Sequence, residues 1–138
     1  MVNAVRFYSK TGNTKKVAEK IAEAAKCKAE PVTAGLNGSV NVLFIGAAVY
    51  KMGIDESVIK FINSLNPKHV KRVVIFSTSG LFKKRAYKLV KRALKLKNIR
   101  SEKEFFYCKG QLAALNIGKP DEKDLQNAYD FAKNILRK

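Results

Sequence analysis

Tryptophan is absent from the 138 residues, histidine occurs once, and cysteine occurs twice. A histidine triad, a histidine general base or a histidine metal site each needs partners that a lone His69 does not have. Cys27 and Cys108 lie far apart, with no CxxC or Cys/His ligand spacing, so neither a disulfide framework nor a zinc site is expected. Two reduced, largely buried thiols are expected instead. No apolar run approaches the roughly 18 residues that a membrane-spanning helix requires. The first eight residues lack the charged start, apolar core and cleavage site of a signal peptide, which makes the cytoplasm the expected compartment. Acids are scarce as well: 11 Asp and Glu face 28 Lys and Arg, for a formal net charge of +17 and a pI near 10.0. That imbalance is silent about fold, but it favours anionic partners: nucleic acid, an acidic protein or an anionic membrane face.

What is present reads as one globular domain over residues 1–138, with 46% hydrophobic residues and no repeat or linker. Val2–Tyr8 has the character of a short strand, with Arg6 in its middle. A helix follows from about Thr14 to Lys26, its Val17, Ala18, Ile21, Ala22 and Ala25 at helical spacing. Ala29–Thr33 is a weak second strand, and Pro31 suits an edge position. Val42-Leu43-Phe44-Ile45 and Val73-Val74-Ile75-Phe76 are continuous apolar runs, the pattern of strands covered on both faces. Asp55 caps a helix carrying Val58, Phe61, Ile62 and Leu65, which Asn66-Pro67 ends. Ala86, Leu89, Val90, Ala93 and Leu94 form the inner stripe of a third helix. Phe105–Cys108 is a last strand, and a last helix opens with Asp121, Glu122 and Asp124, where acids suit the helix dipole. Alternating buried strands and amphipathic helices argue for a parallel sheet with helices on both faces. Ligands of such sheets bind at the carboxyl ends of the strands.

Between the first strand and the first helix lies Ser9-Lys10-Thr11-Gly12-Asn13-Thr14. A phosphate needs several converging donors, and a turn opening a helix offers backbone N–H groups and a partial positive charge. Gly12 permits close backbone approach and positive φ. Ser9, Thr11 and Thr14 add hydroxyls, Asn13 an amide, and Lys10 a charge. The turn is neither the GxxxxGK[ST] loop nor the GxGxxG fingerprint.

This hexapeptide resembles the [ST]-x-T-G-N-T signature of the flavodoxin family, matching every defined position, and the resemblance extends along essentially the whole chain. It implies a doubly wound five-stranded parallel sheet in the order 2-1-3-4-5, in a three-layer α/β/α arrangement. It also implies a noncovalent FMN and electron transfer with a redox partner protein. The loop after the third strand, with Ala47, Ala48, Val49 and Tyr50, would pack against one face of the flavin ring. The loop after the fourth, with Ser77, Thr78, Ser79, Gly80 and Phe82, would hold the other side and the pyrimidine edge. Tyr50 or Phe82 would stack on the ring, or else anchor its own loop. The segments Phe105–Gln111 and Gly118–Leu125 are similar to a small bacterial and archaeal subfamily.

The chain departs from that family in charge, since typical flavodoxins are acidic. Eight basic residues and no acid lie between Lys83 and Lys97. Lys84, Lys88, Lys91, Arg92 and Lys95 fall on the outer side of the helix, either as a solvated face or as a docking surface for an acidic partner. Basic surroundings would also stabilise reduced, anionic FMN. Two other readings stand beside the electron carrier, which is expected to be a monomer. An FMN-dependent oxidoreductase of protoporphyrinogen-dehydrogenase or quinone-reductase type is suggested by the loop Gly46–Gly53. The former carry a long insertion for which Phe76–Phe106 leaves no room. A basic nucleic-acid-binding module is suggested by charge alone, without RRM, KH or helix-turn-helix signatures.

Overall fold

The structure is a computed structural model that describes residues 2–111 and 115–138. Its strands are β1 (Ala4–Phe7), β2 (Ala29–Pro31), β3 (Val40–Ala48), β4 (Val70–Ser79) and β5 (Ser101–Lys109). The helices are α1 (Asn13–Ala25), α2 (Glu56–Ser64), α3 (Arg85–Leu96) and α4 (Glu122–Leu136). All strand pairings are parallel and the sheet order is β2-β1-β3-β4-β5, the doubly wound arrangement that the sequence implied.

Strand periodicity sends alternate residues to opposite faces. Val42, Phe44, Val74 and Phe76 pack with Val17 and Ile21 of α1 and Ala128, Ala132 and Ile135 of α4. Leu43, Ile45, Val73 and Ile75 pack on the other face with Val58 and Ile62 of α2 and Val90 and Leu94 of α3. Each such large side chain contributes about 1.5–3 kcal/mol by leaving water, and this burial on both faces holds the three layers together. Gly46 pairs in register with Phe76, and a Cβ there would lie 2.3 Å from the Phe76 ring. Only glycine fits beneath that ring.

The charge inside β1 has a local solution. Arg6 lies opposite Glu30 of the edge strand, pairs with it at 3.4 Å, and donates from Nε to the Gly35 carbonyl at 2.6 Å. β2 is three residues long, and the 3-10 turn Val32–Ala34 takes up Thr33, for which the sequence suggests a strand. β4 and β5 extend beyond their apolar runs because main-chain pairing continues through Ser79 and Lys109. Cys108 is buried, but Cys27, just past α1, is only half-buried, less than expected. His69 is exposed in the 3-10 turn Pro67–His69 entering β4, at the amino edge of the sheet. Among the described residues no helix is long and apolar enough to cross a membrane.

Candidate functional site

The N-terminus of α1 opens directly from the end of β1. Its cap is Gly12, at φ 95°, a left-handed conformation that glycine adopts without a Cβ clash. The first intrahelical bond is Lys16 N–H to the Gly12 carbonyl, at 3.1 Å. The N–H groups of Asn13, Thr14 and Lys15 precede it, with no side-chain cap and no acid in the first turn. They form a cluster of donors carrying the positive end of the helix dipole. The Ser9 hydroxyl accepts the Gly12 N–H at 3.0 Å, which holds the turn closed and leaves the Ser9 O–H free to donate. Thr11 is exposed.

The other polar groups of the turn are committed to the protein. Thr14 is fully buried, and its hydroxyl shares a 2.9 Å hydrogen bond with that of Thr78, tying α1 to β4. Asn13 donates its amide to the Gln111 carbonyl at 3.0 Å. The Lys10 N–H donates to the Tyr50 hydroxyl at 3.2 Å, and the Lys10 ammonium lies over the Tyr50 ring. The turn is therefore positioned from three sides.

Beside it a narrow cleft opens at the carboxyl edge of the sheet. Thr11 and Asn13 form its floor on the α1 side, and Ala48, Val49 and Tyr50 form one wall. Thr78, Ser79 and Gly80 form the next, and Gly110 and Gln111 close it. Tyr50 stands edge-on to Tyr8 at 6.4 Å, so two contacts fix its ring. Lys51 and Met52 form a two-residue turn, both at positive φ, between Tyr50 and Gly53, which exchange backbone hydrogen bonds. Ala47 and Ser77 are fully buried and lie outside the cleft lining, and Phe82 is exposed beyond it. Ser77 has the same strand parity as Ile75 and so faces the α2/α3 layer, where its hydroxyl finds no partner among the described residues.

Residues of β5 and of the segment after it, outside the expected site, brace the cleft. Gly110 donates its N–H to the Ser79 carbonyl at 3.1 Å, and a Cβ there would meet the Asn13 amide at 2.8 Å. Asn116 donates its side-chain amide to the carbonyls of Gly80 at 3.1 Å and Gly110 at 3.4 Å. Tyr107 donates its hydroxyl to the Ser79 carbonyl at 3.2 Å, while the Ser79 hydroxyl donates to the Phe82 carbonyl at 2.8 Å. The hint in the sequence is the family resemblance of Phe105–Gln111, which contains Tyr107 and Gly110 but does not reach Asn116.

A model of the flavodoxin domain matches residues 4–119. The chain belongs to the flavodoxin domain family. An uncharacterized protein of Methanocaldococcus jannaschii is 29% identical to this flavodoxin-domain chain, with 91% of each covered. A flavodoxin from the domain Archaea superposes with a TM-score of 0.82 at 18% identity, covering 99% of this chain and 97% of its own. Oxidised flavodoxin 2 from Bacillus cereus gives a TM-score of 0.75 at 13% identity, with 99% of each chain covered.

In this flavodoxin domain capping separates the start of α1 from those of α2 and α4. The start of α3 also lacks a side-chain cap and a first-turn acid, but it begins from Lys84, outside the cleft lining. Asp55 caps α2, and the Ser57 hydroxyl and N–H hold its carboxyl below the usual range. Asp121 caps α4 in a reciprocal box with Asp124, and a hydrogen bond from Lys119 lowers its carboxyl to about 2. Burial pushes the Cys108 thiol up to about 12, which makes it inert as a nucleophile. A larger concavity of about 340 Å³ lies at the far edge, among Lys26, Lys133 and Arg137. It sits where α1 and α4 end, and helix C-termini present carbonyls that oppose an anion. The donor cluster at α1 has no such opposition.

Proposed function

We propose that this chain binds FMN noncovalently in a single domain and serves as a cytoplasmic, monomeric electron-transfer protein. The observation that carries the reading is the start of α1. It combines a glycine cap at positive φ, free N–H donors and no acid in the first turn, beside a cleft between two strand-end loops. A phosphate monoester fits those donors, and a flat ring fits the cleft.

In this reading the backbone N–H groups of Asn13, Thr14 and Lys15 take the phosphate. The hydroxyls of Ser9 and Thr11 and the charge of Lys10 assist. Gly12 keeps the backbone close, while Asn13 and Thr14 also hold the turn against Gln111 and Thr78. Ala48, Val49 and Tyr50 line one side of the ring, and Thr78, Ser79 and Gly80 line the other with polar groups for its carbonyl edge. Ala47 and Ser77 support these loops from beneath, and Phe82 lies at the outer rim. The flavin supplies the redox chemistry, and the protein supplies orientation and field. With lysines around the site, the field favours the reduced, negatively charged cofactor and the approach of an acidic redox partner.

FMN and riboflavin titrations of the purified protein, followed by flavin fluorescence, test this. FMN is expected to bind at least ten-fold more tightly than riboflavin, because only FMN reaches the α1 donors (about 1.4 kcal/mol or more). Equal affinities, or none for either, would overturn the reading.

A further inference from the structure

The loops that wall the cleft carry most of the exposed apolar side chains. Seven large apolar residues are exposed among the described residues, and five of them are Met52, Leu81, Phe82, Leu115 and Ile117. The remaining two, Val2 and Leu96, precede β1 and end α3, at the opposite edge of the sheet. Scattered exposed apolar residues are ordinary, but several gathered at one end mark a surface that meets another molecule. Leu81 and Ile117 are 67% and 73% exposed, so most of their area faces outward.

These loops are held in that position. Arg85 Nε donates to the Met52 carbonyl at 2.9 Å, which ties the loop after β3 to the start of α3. Asn116, between Leu115 and Ile117, ties the segment after β5 to Gly80, just before Leu81. The five residues therefore sit on three loops linked in series by hydrogen bonds, next to the cleft.

Charge gives the surface a direction. Lys83, Lys84 and Arg85 follow Phe82 directly, Lys51 precedes Met52, and all four are exposed. No acid occurs from Lys83 to Lys97, so the cationic flank continues along the outer face of α3. On the α4 side the balance differs, because Lys119 is paired with Asp121 at 2.7 Å and Asp124 at 3.5 Å. Asp55 and Glu56 at the start of α2 are the acids beyond the Lys51-Met52 turn.

We infer that Met52, Leu81, Phe82, Leu115 and Ile117 form the apolar centre of a docking surface for an acidic electron-transfer protein, whose carboxylates meet Lys83, Lys84 and Arg85. This rests on the redox reading above and places the contact on the loop end of the molecule, with the α3 face as its flank. An apolar centre with a charged flank divides the work: burial there supplies affinity, and the cations supply orientation and rate of encounter. A second copy of the chain is disfavoured by +17 meeting +17.

The test uses the FMN-loaded protein and an acidic plant-type ferredoxin as the probe, with binding followed by calorimetry at low and high salt. Wild type is expected to bind, with affinity falling at least about ten-fold at high salt. The double variant Leu81→Ser/Ile117→Ser should weaken binding about ten-fold or more at either salt concentration. Lys83→Glu/Lys84→Glu should weaken it mainly at low salt. Both variants should keep the FMN affinity and melting temperature of wild type. Probe binding that ignores Leu81→Ser/Ile117→Ser would overturn the inference. So would a fall in FMN affinity in that variant, which would assign these side chains to the cofactor. Displacement of the probe by phosphatidylglycerol vesicles or by single-stranded RNA, or self-association lost in the variant, would also overturn it. A wild type that binds the probe but no FMN would sink the redox reading and leave the docking surface standing.

Discussion

Two helices that pack on the same face of the sheet begin in opposite ways. α4 starts from Asp121, whose carboxylate accepts the Asp124 N–H while Asp124 accepts the Asp121 N–H in return. α1 starts from Gly12 with no side-chain cap and no acid in its first turn. A helix start with its own carboxylates is satisfied from within the chain and is structural. One without them leaves donors and a positive dipole end for an anion from outside. What keeps the bare start in place is the buried Thr14–Thr78 pair and the Asn13–Gln111 contact, both made to the sheet side.

The largest expected effect comes from making α1 resemble α4. Thr11→Asp puts a carboxylate beside the proposed phosphate site, where like charges at contact distance repel by several kcal/mol. FMN affinity is expected to fall at least about 100-fold, with the melting temperature of the cofactor-free protein unchanged or raised. Unchanged affinity would mean that the bare start of α1 is not the phosphate site.

Next in size is the anchor of that start. Thr14→Val leaves the buried Thr78 hydroxyl without its partner and is expected to cost about 1–3 kcal/mol in urea unfolding. Thr14→Val/Thr78→Val removes both hydroxyls at nearly constant shape and should recover most of that loss. A double variant as unstable as the sum of the two single variants would show that the pair is not coupled.

Smaller again is the converse change. Asp121→Ala removes the cap of α4, and a fall of a few degrees in melting temperature is expected, with no change in FMN affinity. A loss of FMN binding in Asp121→Ala would erase the distinction between the two helix starts.

The smallest effect is in pH. The Asp121 carboxyl is lowered to about 2 in the folded chain, below its ordinary value of 3.8, by the hydrogen bond from Lys119. A depressed folded pKa contributes stability above the unfolded value, and this is lost as pH falls through the folded one. The wild-type advantage over Asp121→Ala should therefore be full above about pH 4 and fade towards about pH 2. Denaturant midpoints of the two proteins across that window would check this, and a constant difference down to pH 2 would contradict it.

Most of the architecture is legible in the amino-acid sequence. Val42–Ile45 and Val73–Phe76 announce strands covered on both faces, and the burial at both core layers agrees. Asp55 and Asp121 announce helix starts, and both cap the helices they precede. These signals are local, set by periodicity and capping chemistry within a few residues. The site is legible only in part. Ser77 and Thr78 look equivalent in the sequence, yet one faces the α2/α3 layer and the other meets Thr14, because strand pairing runs through Ser79. Asn116 gives no signal at all, since its partners Gly80 and Gly110 are brought to it by the register of β4 with β5. Cys27 is expected to be buried, but it falls just past the end of α1, where cover is incomplete.

The sequence by itself determined the strand and helix order, the phosphate-type turn at Ser9–Thr14 and the excess of positive charge. Each of these depends on neighbours along the chain or on composition. The tertiary structure alone decided which groups of that turn remain free, which loops wall the cleft, and where exposed apolar residues meet the cationic flank. Those outcomes depend on contacts between residues 64 and 98 positions apart, such as Thr14 with Thr78 and Asn13 with Gln111. Only closure of the sheet brings such residues together.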